Sequence, residues 1–422
     1  MNGLTLIITI SAIVVVFIII AETIIAKRKN IKLYTLSDSI VNLSCGMLER
    51  TFNFFYAILF LIATNYIYEN IAPYQIPVNV FTGIAAILIF DFLAYWHHRL
   101  SHEINFLWAA HIVHHQSEEL NLTTVFRVSF FAVINRSAFF ILMPIMGFDA
   151  YTILLCGVTL GLYQLFTHSR LIGKLGFLEI FMTTPSHHRV HHGRNEKYKD
   201  HNYGHIFIFW DKLFGTFTPE EEEPEYGTTA GFESGNAFNA QFFYWKNLFT
   251  RASRTKSWKN KVKVFVKGPA WTPDDVPHLP NEFKVDENGN RIHHQIKVDK
   301  ELGAYILINI LITFGIFIGM LKGIGNKNTT LIGVLENPYV LAVVAIILLS
   351  VFSLGQVIEQ RKPSAYIDAL RLAMLSLAAV FIFNDIAISS WLMPIMFTIS
   401  GVMALWLIRL KKTNKMNVNA MN

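Results

Sequence analysis

Nine apolar runs divide this chain, near residues 4–26, 43–66, 79–96, 127–146, 149–167, 302–321, 338–358, 365–383 and 389–409. Each approaches the roughly 20 residues that a helix needs to cross a hydrocarbon layer. The expected fold is therefore all-α, a multi-pass integral membrane helical bundle. Composition agrees: 53% of the residues are hydrophobic and 16% charged, and mean hydropathy is +0.38, outside the habit of soluble domains. The first run is long, lacks a basic stretch before it and is followed by Lys27, Arg28 and Lys29. It reads as a retained anchor with its N-terminus outside, not as a cleaved signal.

Lys and Arg collect on the cytoplasmic side of membrane proteins, so threading the runs can be checked against charge. With the N-terminus outside, segments 27–42, 97–126, 168–301, 359–364 and the tail from Arg409 fall on the cytoplasmic side, and each is basic or holds a basic cluster. The opposite side receives 67–78, 147–149, 325–330 and 384–387, where basic residues are scarce apart from Lys322 and Lys327. The net charge of +6 thus reports topology, and no nucleic-acid partner is expected. Cys45 and Cys156 lie in or beside apolar runs and read as small core residues. The acidic run Glu220–Glu223 reads as a solvated loop. Segment 246–268 carries eight basic and no acidic residues among Trp258, Val262, Phe265 and Val266, the pattern of a helix lying on anionic lipid. A turn is expected over 285–293, around Asn288-Gly289.

The histidines are concentrated. Of 16 in the chain, thirteen lie between 97 and 205. His98 and His102 are spaced i, i+4, while His111, His114, His115 and again His188, His191, His192 follow the pattern HxxHH. On a helix, positions three and four apart share a face, so each triplet can present up to three imidazoles to one point. His168, at the cytoplasmic end of 149–167, is a ninth candidate. Buried neutral imidazoles need partners, and so many on one side of the membrane point to metal ligation. Eight or nine ligands exceed what one ion accepts, so two metals are expected. Spacing argues against zinc peptidase chemistry: Ser101–Asn105 begins like HExxH, but Phe106 stands where the second histidine is required. Imidazole suits zinc, copper, iron and nickel alike; of these, two irons with open positions, binding dioxygen beside an apolar cavity, would suit oxidation of a lipid C–H bond. Asp91, Tyr95, His98 and His102 fall along one helical face, so Asp91 is expected to hydrogen-bond a ligand histidine, with Glu103 as the next candidate. His97 and His187 point off the shared faces and read as supporting groups. His201, His205, His278, His293 and His294 read as ordinary polar residues.

The order HxxxH, HxxHH, HxxHH between apolar hairpins resembles the fatty acid hydroxylase and sterol desaturase superfamily of membrane di-iron oxygenases. The matching positions are His98, His102, His111, His114, His115, His188, His191 and His192, and His168 in FTHSR resembles a further ligand position. The stretches 183–195, 202–217 and 258–271 resemble the branch of that superfamily that cleaves glyceryl ethers. The resemblance implies a mixed-function oxygenase using two irons and dioxygen. It would hydroxylate the ether-linked carbon, with tetrahydrobiopterin or another donor supplying electrons, to give a hemiacetal that falls apart to a fatty aldehyde. The same histidines would serve a sterol, fatty acyl or carotenoid hydroxylase or desaturase. A metal transporter is a different class, but its ligands would lie near the bilayer midplane, and a purely structural metal scaffold is a third. Three regions follow: membrane helices over 1–78, an oxygenase core over 79–301 and further membrane helices over 302–422.

Overall fold

The computed structural model describes residues 3–229, 231–277, 296, 298–325, 331–361, 363–383 and 389–412. Among these there is no β-strand, only an isolated bridge between Met182 and Phe207. The α-helices among the described residues are α1 (Gly3–Arg28), α2 (Leu36–Asn70), α3 (Val80–Glu103), α4 (Asn105–His115), α5 (Ala132–Phe140), α6 (Leu142–Ile145), α7 (Ala150–Thr167), α8 (Pro185–His192), α9 (Phe209–Phe214), α10 (Ala237–Arg254), α11 (Trp258–Val266), α12 (Lys300–Gly325), α13 (Leu331–Leu335), α14 (Pro338–Ile358), α15 (Ser364–Phe383) and α16 (Ser389–Lys412). Among the described residues, five stretches are long and apolar enough to cross a membrane: α2, α3, α7, Lys300–Leu321 within α12, and α14. The protein is a multi-pass membrane protein. The turn expected over 285–293, with His278, His293 and His294, lies outside the described residues.

Local chemistry sets the helix boundaries. Asn79 caps α3 by accepting from Phe81 N–H and Thr82 N–H, both at 3.0 Å. Asp149 caps α7 through Tyr151 N–H at 2.9 Å and Thr152 N–H at 3.0 Å. Pro185 opens α8, where its missing N–H has no helical partner to lose. The run 127–146, expected as one helix, is instead broken into α5 and α6. Pro144 cannot donate to the carbonyl four residues back, at Phe140, which is where α5 stops.

The broken pair still returns the chain from the histidine end of the bundle to the opposite end. There Gly147 C=O accepts from Ile76 N–H at 2.9 Å, so the 71–79 and 147–149 loops lie side by side, as the charge pattern requires. Phe90 of α3 stacks on Phe140 at 4.1 Å, within an apolar core that includes Ala86, Met143, Phe148, Ile153 and Cys156. Cys45 and Cys156 are both free and buried.

Segment 246–268 is two helices, with Thr255 and Ser257 between them. Val264 of α11 is buried beside Ala109 and Ile112 of α4. Trp258, Val262 and Val266 form an exposed stripe at the i, i+4, i+8 spacing of one helical face. Asn105 fixes the start of α4 to this layer: its N–H donates to Lys267 C=O at 2.9 Å, its Nδ2 to Val264 C=O at 2.8 Å, and its Oδ1 accepts from Tyr244 at 2.6 Å. In the C-terminal helices Arg371 and Asp368 are fully buried and paired at 2.8 Å. Tyr305 and Ser353 also donate to Asp368, so neither charge is left alone in an apolar setting.

Gly147 has φ +94°, and a Cβ there would lie 2.3 Å from Tyr74 C=O. Gly147→Ala is therefore expected to destabilise the protein by at least about 2 kcal/mol, seen as a lower midpoint of thermal unfolding in detergent. An unchanged midpoint would show that the two loops are free to move apart.

Candidate metal centre

The helix ends deliver nine imidazoles to one place. α3 contributes His98 and His102, α4 contributes His111, His114 and His115, the residue after α7 is His168, and α8 contributes His188, His191 and His192. They sort into two groups: His98, His102, His111, His115 and His191 form one, and His114, His168, His188 and His192 the other, with the nitrogens of each group within 4.8 Å of one another. Of the three imidazoles that each HxxHH triplet could bring to one point, two reach a common group and the third goes to the other. In α4 the i, i+4 pair His111 and His115 enters the first group while His114 enters the second; in α8 His188 and His192 enter the second while His191 enters the first. The reason is angular. Successive helical residues are about 100° apart around the axis, so adjacent histidines diverge toward two centres.

The tautomers follow from the hydrogen bonds. His98 Nδ1–H donates to Tyr203 C=O at 2.8 Å, His191 Nδ1–H to His201 C=O at 3.0 Å, His168 Nδ1–H to Gln164 C=O at 2.6 Å and His114 Nδ1–H to Arg127 C=O at 3.3 Å. In a neutral imidazole with Nδ1 protonated, Nε2 carries only a lone pair. The Nε2 atoms of His114 and His168 nonetheless face each other at 3.2 Å, lone pair against lone pair. In the first group, His98 Nε2 lies 3.0 Å and His115 Nε2 3.1 Å from His111 Nε2, while the buried Nε2 atoms of His102 and His191 have no partner at all.

A cation would relieve this arrangement. Nitrogens about 2.1 Å from one ion and at right angles to each other stand roughly 3.0 Å apart. Burial, reinforced by neighbouring imidazoles, holds His111, His115, His188, His191 and His192 well below the usual histidine range, and burial pushes His168 down to about 4. Neutral rings are the form a metal requires. The residues fit a pair of metal ions, one per group.

The supporting carboxylates differ from the expectation. Asp91 bonds no histidine: its oxygens accept from Ile206 N–H at 2.9 Å, Phe207 N–H at 3.3 Å and Trp210 Nε1 at 3.0 Å. It acts on the cluster only through the loop that carries Tyr203. Glu103 is ion-paired with Arg99 at 2.8 Å, and His187 accepts weakly from Thr184 N–H at the start of α8. His97 lies edge-on to Phe139. None of these four belongs to either group.

The carboxylate that does face a histidine is Asp200, 3.4 Å from His102 Nδ1. Asp211, also unforeseen, accepts from Tyr203 N–H at 2.7 Å, Gly204 N–H at 2.8 Å and the Thr216 hydroxyl at 2.7 Å. It fixes the carbonyl that orients His98. Glu220 is more than a solvated loop residue, because it grips Arg189 of α8 at 2.6 and 2.7 Å. Glu22 of α1 is buried and accepts from Ser169, next to His168, and from Leu122 N–H. Such partners are separated from the histidines by long stretches of chain, and no spacing rule connects them.

A Cβ at Gly204 would lie 2.5 Å from Phe207 C=O and 2.8 Å from Asp211 Oδ2. Gly204→Ala is expected to displace the Asp211 clamp and weaken metal binding about 10–100-fold, measured by chelator competition. Unchanged affinity would mean that this loop does not orient His98.

A family model, fatty acid hydroxylase, matches residues 83–216, the segment that holds all nine histidines. The chain is 33% identical to alkylglycerol monooxygenase of Danio rerio, over 81% of this chain and 75% of that protein. It is 32% identical to the Homo sapiens protein of the same name, over 80% and 74%. An ornithine lipid hydroxylase of Rhizobium tropici is 30% identical over 46% of this chain and 58% of its own length. No solved structure matches. The chain belongs to the fatty acid hydroxylase family, among the relatives of the alkylglycerol monooxygenases.

Proposed function

We propose that this protein is a membrane-bound, non-haem di-iron monooxygenase that hydroxylates the ether-linked carbon of glyceryl ethers. The observation that carries the reading is the pair of all-histidine groups in a chain that aligns with alkylglycerol monooxygenase over three quarters of that protein's length. Ion one is assigned to His98, His102, His111, His115 and His191, and ion two to His114, His168, His188 and His192. Two irons held there would supply dioxygen activation and insertion of one oxygen atom into a C–H bond, the second oxygen leaving as water. Tetrahydrobiopterin is assigned as the donor of the two electrons required. The hydroxylated ether is a hemiacetal and separates into a fatty aldehyde and the glycerol product without further oxidation.

The protein's own part is placement. Carbonyls at Tyr203, His201, Gln164 and Arg127 hold the Nδ1 protons, so the Nε2 lone pairs stay aimed inward. Burial keeps bulk water from the imidazoles and limits leakage of reactive species. The groups stand at the ends of α3 and α7, so a lipid anchored at the membrane surface offers the carbon beside its head at their depth. The histidine face is assigned to the cytoplasm and the N-terminus to the outside, on the distribution of Lys and Arg. Chemistry is assigned to residues 79–301, anchoring to 1–78 and 302–422, and lipid contact to the Trp258, Val262 and Val266 stripe. The ornithine lipid hydroxylase relative supports a second reading, hydroxylation of another membrane lipid, such as a fatty acyl lipid or sterol, without cleavage.

Protein loaded with ferrous iron in lipid nanodiscs, given oxygen, tetrahydrobiopterin and 1-O-hexadecylglycerol, is expected to release hexadecanal. His111→Ala or His192→Ala should lower that rate by more than about a hundredfold while the protein still inserts in membranes. Oxidation of acyl lipids or sterols with no aldehyde from the ether would favour the second reading, and full activity in either variant would exclude the assigned centre.

A further inference from the structure

One short turn, residues 200–203, meets three of the five imidazoles of the first group. Asp200 places a carboxylate oxygen 3.4 Å from His102 Nδ1, His201 C=O accepts from His191 Nδ1–H at 3.0 Å, and Tyr203 C=O accepts from His98 Nδ1–H at 2.8 Å. The backbone is left-handed at two places in it, with φ +60° at Asp200 and +57° at Asn202, a region that Asp and Asn tolerate better than most side chains. Such a conformation persists only where the surroundings fix it. Asn202, which is buried, provides the fixing: its Nδ2 donates to His187 C=O at 3.2 Å and to Thr218 C=O at 2.7 Å, and its Oδ1 accepts from Thr218 N–H at 2.8 Å. Asp200 is therefore set against His102 although its side chain is 70% exposed and an unconstrained carboxylate would turn to water. On the other side of the ring, His102 Nε2 is buried with no hydrogen-bond partner, and the ring lies 4.9 Å from those of His111 and His115 and 5.0 Å from that of His191.

We infer that Asp200 is a positioning residue for ion one, acting through His102, and that the 200–203 turn is the preset frame that holds it there. This rests on the assignment of an ion to the first group and not on the reaction proposed above. With Nδ1–H toward Asp200, His102 presents its Nε2 lone pair to the group. An imidazole bound to a cation gives up electron density, and the positive charge its N–H gains then faces a carboxylate, so the ring binds more strongly. His98 and His191 are met by neutral carbonyls, so among these three rings the charged partner goes to His102. The exposure of Asp200 has its own consequence: a small anion in solution can reach the place its carboxylate occupies.

The test measures zinc affinity of the full chain in detergent by chelator competition, with no iron, oxygen or lipid substrate present. The unaltered protein is expected to hold two ions. Asp200→Gly leaves the left-handed backbone accessible but removes the carboxylate, and should weaken one of the two ions about 10–100-fold while the other is unchanged. Formate should recover part of that loss, and chloride at the same concentration should not. Asp200→Asn, which tolerates the same φ and keeps an acceptor without the charge, should weaken the same ion by less. Two unweakened ions in Asp200→Gly overturn the role. So do equal losses at both ions, or a loss that formate leaves untouched, since either marks a turn that supports the fold alone. Should Asp200→Gly fail to fold, unweakened binding in Asp200→Asn overturns the role instead. An unaltered chain that binds no zinc refutes the metal centre and the role with it. Two ions with the expected losses, in a protein that oxidises no ether, refute the reaction and leave the role of Asp200 standing.

Discussion

The structure depends on nine imidazoles drawn into two groups, four of them with Nδ1 held by a backbone carbonyl so that Nε2 is left bare. Left alone, such a packing is unfavourable, because a buried polar atom without a partner loses its hydration and gains nothing. Backbone carbonyls remove the easy escape by holding the Nδ1 protons of His98, His114, His168 and His191. At His114 and His168 two bare Nε2 atoms then face each other, a repulsion that a cation between them would relieve. The angular splay within each HxxHH triplet divides the histidines between two groups, each of which could hold an ion. His114 cannot reach the centre served by His111 and His115, nor His191 that served by His188 and His192, so α4 and α8 each tie both centres together.

Much of the remaining architecture keeps those helix ends at one depth. α3 and α7 both run toward the histidine face, which is why the chain between them must return through α5 and α6 to the Gly147 loop. α11 and Asn105 hold the start of α4, Arg189 ties α8 to Glu220, and Asp91 with Asp211 pins the 203–207 loop from two sides. These ties join segments more than a hundred residues apart as often as near neighbours, so the centre is a property of the assembled bundle and not of any one helix.

What was legible in the sequence was periodic. Apolar runs of spanning length announced the bundle, and i, i+3, i+4 spacing placed histidines on common helices; the structure brings together the nine that spacing and resemblance singled out. What was not legible was non-periodic. The break before Pro144 turned one expected helix into two. Asp91 shares a helical face with His98, yet its partners are loop N–H groups from residues 206 and 207, because a buried carboxylate takes the nearest unpaired donors whatever their distance in sequence. Asp200, which does face His102, gives no signal in a loop rich in polar residues. The division of each triplet between two centres was implicit in the helical angle all along.

The central claim is that the two histidine groups each hold one iron. It is tested most directly by anaerobic loading with ferrous iron followed by elemental analysis and X-ray absorption at the iron edge. The account expects two irons per chain, each in a nitrogen-dominated shell at about 2.1 Å with the outer-shell pattern of imidazole rings. One iron per chain, or a shell made mainly of oxygen, would contradict it.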